Sequence, residues 1–152
     1  MVIIDTDILL IEFRFQRDMQ YPVNNQFLSI IQTMGGAITV YTLMEFLGKI
    51  SFNVDLFKLT RWRSWLQDAY NLIIIWPEAQ GIDADSFIRT LIFEHPFERM
   101  CSTPIPFVDA LILNLVEQVG EAEAFITWNV KHFVGKTPLA VETPEEYLAS
   151  TG

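Results

Sequence analysis

Sulfur and imidazole are scarce in this chain. Cysteine occurs once in 152 residues, at Cys101, and histidine twice, at His95 and His132. A single cysteine excludes an intramolecular disulfide and disfavours a thiolate metal site, so a reducing cytoplasm is the expected setting. Neither histidine sits in a pattern that asks for catalysis, and both are expected at the surface. Positive charge is also short. Ten Lys and Arg stand against 19 Asp and Glu, a net charge of −9. That balance argues against whole-surface binding to nucleic acid. It leaves room for a local basic track, or for a site where metal ions carry the positive charge. No apolar run reaches the roughly 18 residues that would span a bilayer. Met1 leads directly into an apolar run with no basic leader, so neither a membrane segment nor a signal peptide is expected.

What the chain has is apolar residues, 51% of the total. This is enough for one core with some apolar surface left over, which suggests a partner or a dimer. The length suits a single domain over residues 1–152. Branched apolar runs at Val2-Ile3-Ile4, Ala37 to Val40, Leu72 to Trp76, Ala124 to Thr127 and Leu139 to Val141 predict five strands. Helical spacing separates them, over Ile8 to Met19, Phe27 to Met34, Thr42 to Ile50, from Asn53 or Asp55 to Tyr70, and from Asp83 or Asp85 to Glu94. Tyr21 to Asn25 reads as a turn and His95 to Ile105 as a proline-bearing loop. Pro106 then opens a helix that Gly120 stops, and Thr143-Pro144-Glu145-Glu146 is a capping box opening the last helix. Strands that alternate with helices and are apolar on both faces predict an α/β chain. Its sheet is mainly parallel, with about five strands covered on both sides.

The acids are placed unevenly and to effect. The first strand stops on Asp5-Thr6-Asp7. Carboxylates beside a sheet core lose hydration worth several kcal/mol unless something restores it. Asp7 is explained as a helix cap; Asp5 is not, since Thr6 and Asp7 lie closer to the helix. Glu45 stands three residues after Thr42, which forms a capping box, but at the sheet edge where Asp5 lies. Asp109 falls in the first turn of a helix, flanked by Val108, Ala110, Leu111 and Ile112. Asn129 follows the fourth strand, in Ile126-Thr127-Trp128-Asn129. In open parallel sheets ligands bind beyond the carboxyl ends of the strands, where these residues fall. Crowded carboxylates repel unless a cation sits among them, and hard divalent ions such as Mg²⁺ or Mn²⁺ prefer such oxygen ligands.

In that order the set resembles the PIN-domain family (PilT N-terminus), most closely the VapC-type toxin ribonucleases of toxin–antitoxin pairs. Val2-Ile3-Ile4-Asp5-Thr6-Asp7 looks like the opening motif and Thr42-Leu43-Met44-Glu45-Phe46-Leu47 like the second. Val108-Asp109-Ala110-Leu111-Ile112-Leu113 is similar to the third, and Ile126 to Phe133 to the fourth. The resemblance implies a three-layer α/β/α sandwich and a metal-dependent ribonuclease. Asp5, Glu45 and Asp109 would be its metal-binding acids, with Asn129 at the fourth position, where many relatives carry aspartate. Thr6, Asp7 and Thr127 would orient carboxylates or substrate. The resemblance also implies an RNA substrate, a cognate antitoxin and a homodimer.

Lys58, Arg61 and Arg63 interleave with Phe57, Trp62 and Trp65, the most basic local stretch. It predicts either a solvated helix face or a docking surface for RNA or an antitoxin. Lys49, Lys131 and Lys136 are expected to add phosphate contacts near the acids. Two other readings remain at this level. Asp5-Thr6-Asp7 also looks like the Asp-x-Asp of haloacid-dehalogenase-type phosphatases, although Asp109 lacks the neighbouring acid they need. The altered fourth position is also compatible with a PIN-like binding module without catalysis.

Overall fold

The opening apolar run forms β1 (Val2–Ile4), and all three residues are buried. In the computed structural model, which describes residues 1–79 and 81–151, four more strands join it. They are β2 (Gly36–Thr39), β3 (Leu72–Ile75), β4 (Ala124–Ile126) and β5 (Ala140–Glu142). Every pairing is parallel and the order is β3-β2-β1-β4-β5. Ile3 pairs with Ala37 on one side and with Phe125 on the other, so β1 lies at the centre.

Strand alternation sorts the core into two layers of contacts. Val2, Ile4, Ile38, Ala124 and Ile126 face one side. There they meet α1 (Thr6–Phe13), α2 (Tyr21–Met34), α3 (Val40–Ile50), α5 (Trp62–Tyr70) and α10 (Pro144–Thr151) through Ile8, Phe27, Phe46, Leu66 and Tyr147. Ile3, Ala37 and Phe125 face the other side, against α8 (Phe107–Val116) and α9 (Val130–Phe133). The short helices α4 (Leu56–Leu59) and α6 (Ala84–Phe87), and α7 (His95–Ser102), complete a three-layer α/β/α sandwich.

Six boundaries differ from the sequence expectation, each for a local reason. The first helix ends at Phe13 rather than Met19. Tyr21 to Asn25 is no turn but the first turn of α2, where the fixed φ of Pro22 suits helix entry. Thr39, not Thr42, caps α3: its Oγ1 accepts from the Thr42 backbone N–H at 2.9 Å. The expected Thr42–Glu45 capping box is therefore absent, and the Glu45 carboxylate is free for other contacts. The stretch from 53 to 70 divides into two helices, because Asp55 caps only the short α4. The expected loop from His95 is α7, with Pro96 in its first turn, joined to α6 by a π-helical stretch over Ile88–Glu94. Pro106 has extended backbone and acts as the N-cap of α8 rather than its first residue.

Gly36 marks the tightest approach of α2 to the sheet. A Cβ there would lie 2.9 Å from Ile31 Cγ2 and 3.4 Å from both Ile4 Cδ1 and Leu72 Cδ2. Gly36→Ala is therefore expected to cost about 1–3 kcal/mol by overpacking, read from urea unfolding midpoints. An unchanged midpoint would show that α2 packs more loosely than this geometry requires.

Candidate active site

The sheet order turns at β1: β2 and β3 lie to one side, β4 and β5 to the other. This is the switch point beyond which open parallel sheets place ligands. The chain leaves β1 through Asp5 and α1, β2 through Thr39 and α3, and β4 through Thr127. Asp5, Asp7, Glu45 and Thr127 all follow from these exits.

Asp5 is buried at 6% exposure. Contrary to expectation it is itself the N-cap of α1, because its backbone is extended (φ −81°, ψ 164°) while Thr6 is already helical. Its Oδ1 accepts from the Thr6 N–H at 2.7 Å, and its Oδ2 from the Thr127 hydroxyl at 2.8 Å. Relieved of capping, Asp7 reaches across to β4. Its Oδ2 accepts from Thr127 Oγ1 at 2.9 Å, Trp128 N at 2.9 Å and Asn129 N at 3.1 Å. Its Oδ1 is buried with no partner. Thr127 has one hydroxyl proton, so it can serve only one of the two carboxylates at a time.

Electrostatics follow from that crowding. Burial, then the charge of Asp7, pushes the Asp5 carboxyl well above the usual range, against the hydrogen bonds from Thr127 and Thr6; Asp109 raises it further. Burial pushes Asp7 up to about 6 despite its hydrogen bonds from Thr127, Trp128 and Asn129. Asp109 is raised by burial and by Glu45, and opposed by His132 and Lys49. The acids therefore sense one another across α1, α3 and α8. The two nearby bases are already committed. Lys49 Nζ pairs with Glu45 Oε1 at 2.6 Å. His132 Nε2 lies 2.9 Å from Asp109 Oδ2, near enough for an ion pair though without an aligned hydrogen bond. Among the described residues, neither Asp5 nor Asp7 has a cationic partner. Glu45 Oε2 also accepts from the Thr6 hydroxyl at 2.7 Å, which fixes its direction.

Among the described residues, no group of three or more His, Cys, Asp or Glu side chains is already drawn together as a ligand set. The donor chemistry nevertheless suits a hard cation. The groups are carboxylates whose protonation is favoured by burial and, at Asp5, by the charge of Asp7, and one buried oxygen has nothing to accept from.

The remaining sequence candidates fall in different places. Asn129 contributes its backbone N–H to Asp7, and its exposed side chain does not cap α9. Lys131 is exposed on α9. Lys136 is turned elsewhere: its Nζ donates to the Pro104 carbonyl at 2.5 Å, beside a polar cavity of about 620 Å³ that also holds His95, Arg99 and Glu117. Lys58, Arg61, Trp62 and Trp65 line an apolar groove of about 430 Å³ with Val54. Arg61 lies over the Phe57 ring at 4.2 Å, and Arg63 over Trp76 at 5.2 Å. Trp62 belongs to a cluster of edge-on rings with Phe13, Phe46 and Trp65.

Sequence reasoning missed three residues. His132 was expected at the surface and instead meets Asp109; its offset of three from Asn129 puts it one helical turn on. Glu12 and Asn24 are buried and polar, at 3% and 0% exposure. Their signal was phase: Glu12 is four residues after Ile8, and Asn24 continues the Leu28 and Ile31 face of α2.

No family model matches the chain, and no curated protein does. Among solved structures it is similar to a toxin–antitoxin complex from Klebsiella pneumoniae, at 24% identity and a TM-score of 0.58, over 95% of this chain and 98% of that one. It is also similar to the structure of FitAB bound to an IR36 DNA fragment, at 13% identity and a TM-score of 0.56, over 95% of each chain. At these identities the likeness is one of fold. No single helix among the described residues is long and apolar enough to cross a membrane.

Proposed function

We propose that this chain is a metal-dependent endoribonuclease, the toxin of a toxin–antitoxin pair. The observation that carries the reading is the pair of acids at the switch point of the sheet, buried Asp5 and half-buried Asp7, with no cationic side-chain partner among the described residues, and with Asp109 and Glu45 close enough to perturb the same cluster. Asp5, Asp109 and Glu45 would hold Mg²⁺ or Mn²⁺. Bound there, such an ion supplies a hydroxide nucleophile at neutral pH and shields the phosphate in an in-line displacement. The chain's own residues set the geometry. Thr6 aims Glu45, Thr127 ties Asp5 to Asp7, and Asp7 fixes the Trp128 and Asn129 backbone at the mouth. Lys49, beside Glu45, offers positive charge to an incoming phosphate.

The partner reading draws on the groove beside Trp62 and Trp65 and on exposed Phe57 and Leu56, at 63% and 76% exposure. An amphipathic segment of an antitoxin would cover this face. A homodimer would cover part of the remaining apolar surface. The lone, exposed Cys101 fits a reducing cytoplasm. The test is incubation of purified protein with total RNA. Cleavage is expected with Mg²⁺ or Mn²⁺, none with a chelator, and none from an Asp5→Asn variant. No cleavage with either metal, or cleavage by the protein that survives both the chelator and the substitution, would sink the proposal.

A further inference from the structure

A chain of hydrogen bonds, buried at Asn24 and part-buried to exposed beyond it, runs from the far end of α1 to the mouth of the site. Asn24, on α2, is fully buried. Its Nδ2 donates to the Ile8 carbonyl at 3.1 Å and to Glu12 Oε2 at 3.2 Å. Its Oδ1 accepts from the Trp128 indole Nε1 at 2.9 Å. The orientation of the amide is fixed by its neighbours. The indole N–H can only donate, and the Ile8 carbonyl can only accept, so a flipped amide would lose both contacts. Glu12 is itself held, its Oε1 accepting from Asn25 Nδ2 at 2.7 Å. Trp128 and Asn129 in turn donate their backbone N–H groups to Asp7 Oδ2.

A buried asparagine with three polar partners costs desolvation that an apolar residue would not, and α2 needs none here for packing, since Phe27, Leu28 and Ile31 already fill that face. From this we infer that Asn24 is a positioning residue. It pins the Trp128 ring, and through it the Thr127–Asn129 turn that holds Asp7; Glu12 locks the amide. The inference rests on the proposed nuclease reading for its catalytic consequence, but not for its geometry.

The test uses three variants of the full chain. Trp128→Phe keeps an aromatic ring at the position, smaller than the indole, and deletes the indole N–H that donates to Asn24. Asn24→Ser removes the amide. Gly36→Ala loses stability without touching the network. Amide NMR spectra read the turn directly, and RNA cleavage reads its consequence. In the first two variants the Asn129 backbone amide is expected to shift while amides in β3 hold. Their kcat should fall about 10- to 100-fold, the usual cost of losing a supporting contact around a metal site, with KM within about twofold. Gly36→Ala should leave the Asn129 amide and kcat unchanged at a temperature where it is folded. An unmoved Asn129 amide in Trp128→Phe overturns the inference, as does a shifted amide with wild-type kcat. Should Asn24→Ser fail to fold, Trp128→Phe decides alone. If the wild-type protein cleaves no RNA, the functional reading fails, and the amide shift still decides whether Asn24 holds the turn.

Discussion

Asp5→Asn is expected to abolish RNA cleavage while leaving the metal-free protein as stable as the wild type, or more so. The cap on α1 is not at risk, because asparagine caps a helix as well as aspartate does. Oδ1 would keep its bond from the Thr6 N–H. The new Nδ2 would donate to Thr127 Oγ1, where Oδ2 now accepts at 2.8 Å. Thr127 would then be free to give its single proton to Asp7. A buried charge and its repulsion with Asp7 disappear together, the two largest causes of the raised Asp5 carboxyl. A gain of about 0.5–2 kcal/mol is expected, within the range of ordinary stabilising changes. Activity should drop about a hundred- to ten-thousand-fold, the rate equivalent of the several kcal/mol of charge stabilisation a catalytic ion provides. A large loss of apo stability would instead make Asp5 a structural anchor.

The second large effect is on pH dependence. Burial raises Asp7 to about 6 in the folded chain, against about 3.9 in an unfolded one. Between those values the folded state binds more protons, so stability falls as pH rises. The contribution of Asp7 is therefore complete below about pH 4 and lost as pH climbs through about 6, amounting to roughly 2–3 kcal/mol. Asp83 and Glu146 act in the opposite sense, since hydrogen bonds from Ser86 and Thr143 lower them. The quantity to measure is thus the difference in unfolding free energy between wild type and Asp7→Asn without metal. The gap should open in favour of the variant from pH 4 to pH 7. A flat difference would mean that Asp7 titrates as an ordinary surface acid.

The layered α/β fold was legible because its signal is local. Val2-Ile3-Ile4, Leu72 to Ile75 and Ala124 to Ile126 are unbroken apolar runs, and the helices between them keep a clear face. Boundaries failed where two residues compete for one role. Thr39 and Thr42 are both good caps three residues apart, and only the backbone decides between them. Proline misled twice, since Pro22 and Pro96 open helices rather than break them. The acids were legible as types at strand exits. Their contacts were not, because Asp7 meets Thr127 and Trp128 across some 120 residues of chain. No periodicity carries that pairing. It depends on β1 lying beside β4, which the sheet order alone reveals.

Asp5 and its neighbours are expected to form a divalent cation site. The most direct measurement is a calorimetric titration of Mn²⁺ into the metal-free protein at pH 6 in two buffers of different ionisation heat, beside Asp5→Asn. Saturable binding by the wild type with net release of protons is expected, because the raised carboxyls of Asp5 and Asp109 must ionise as the cation enters, and little or no binding by the variant. No binding by the wild type, or equal binding by both proteins, would contradict it.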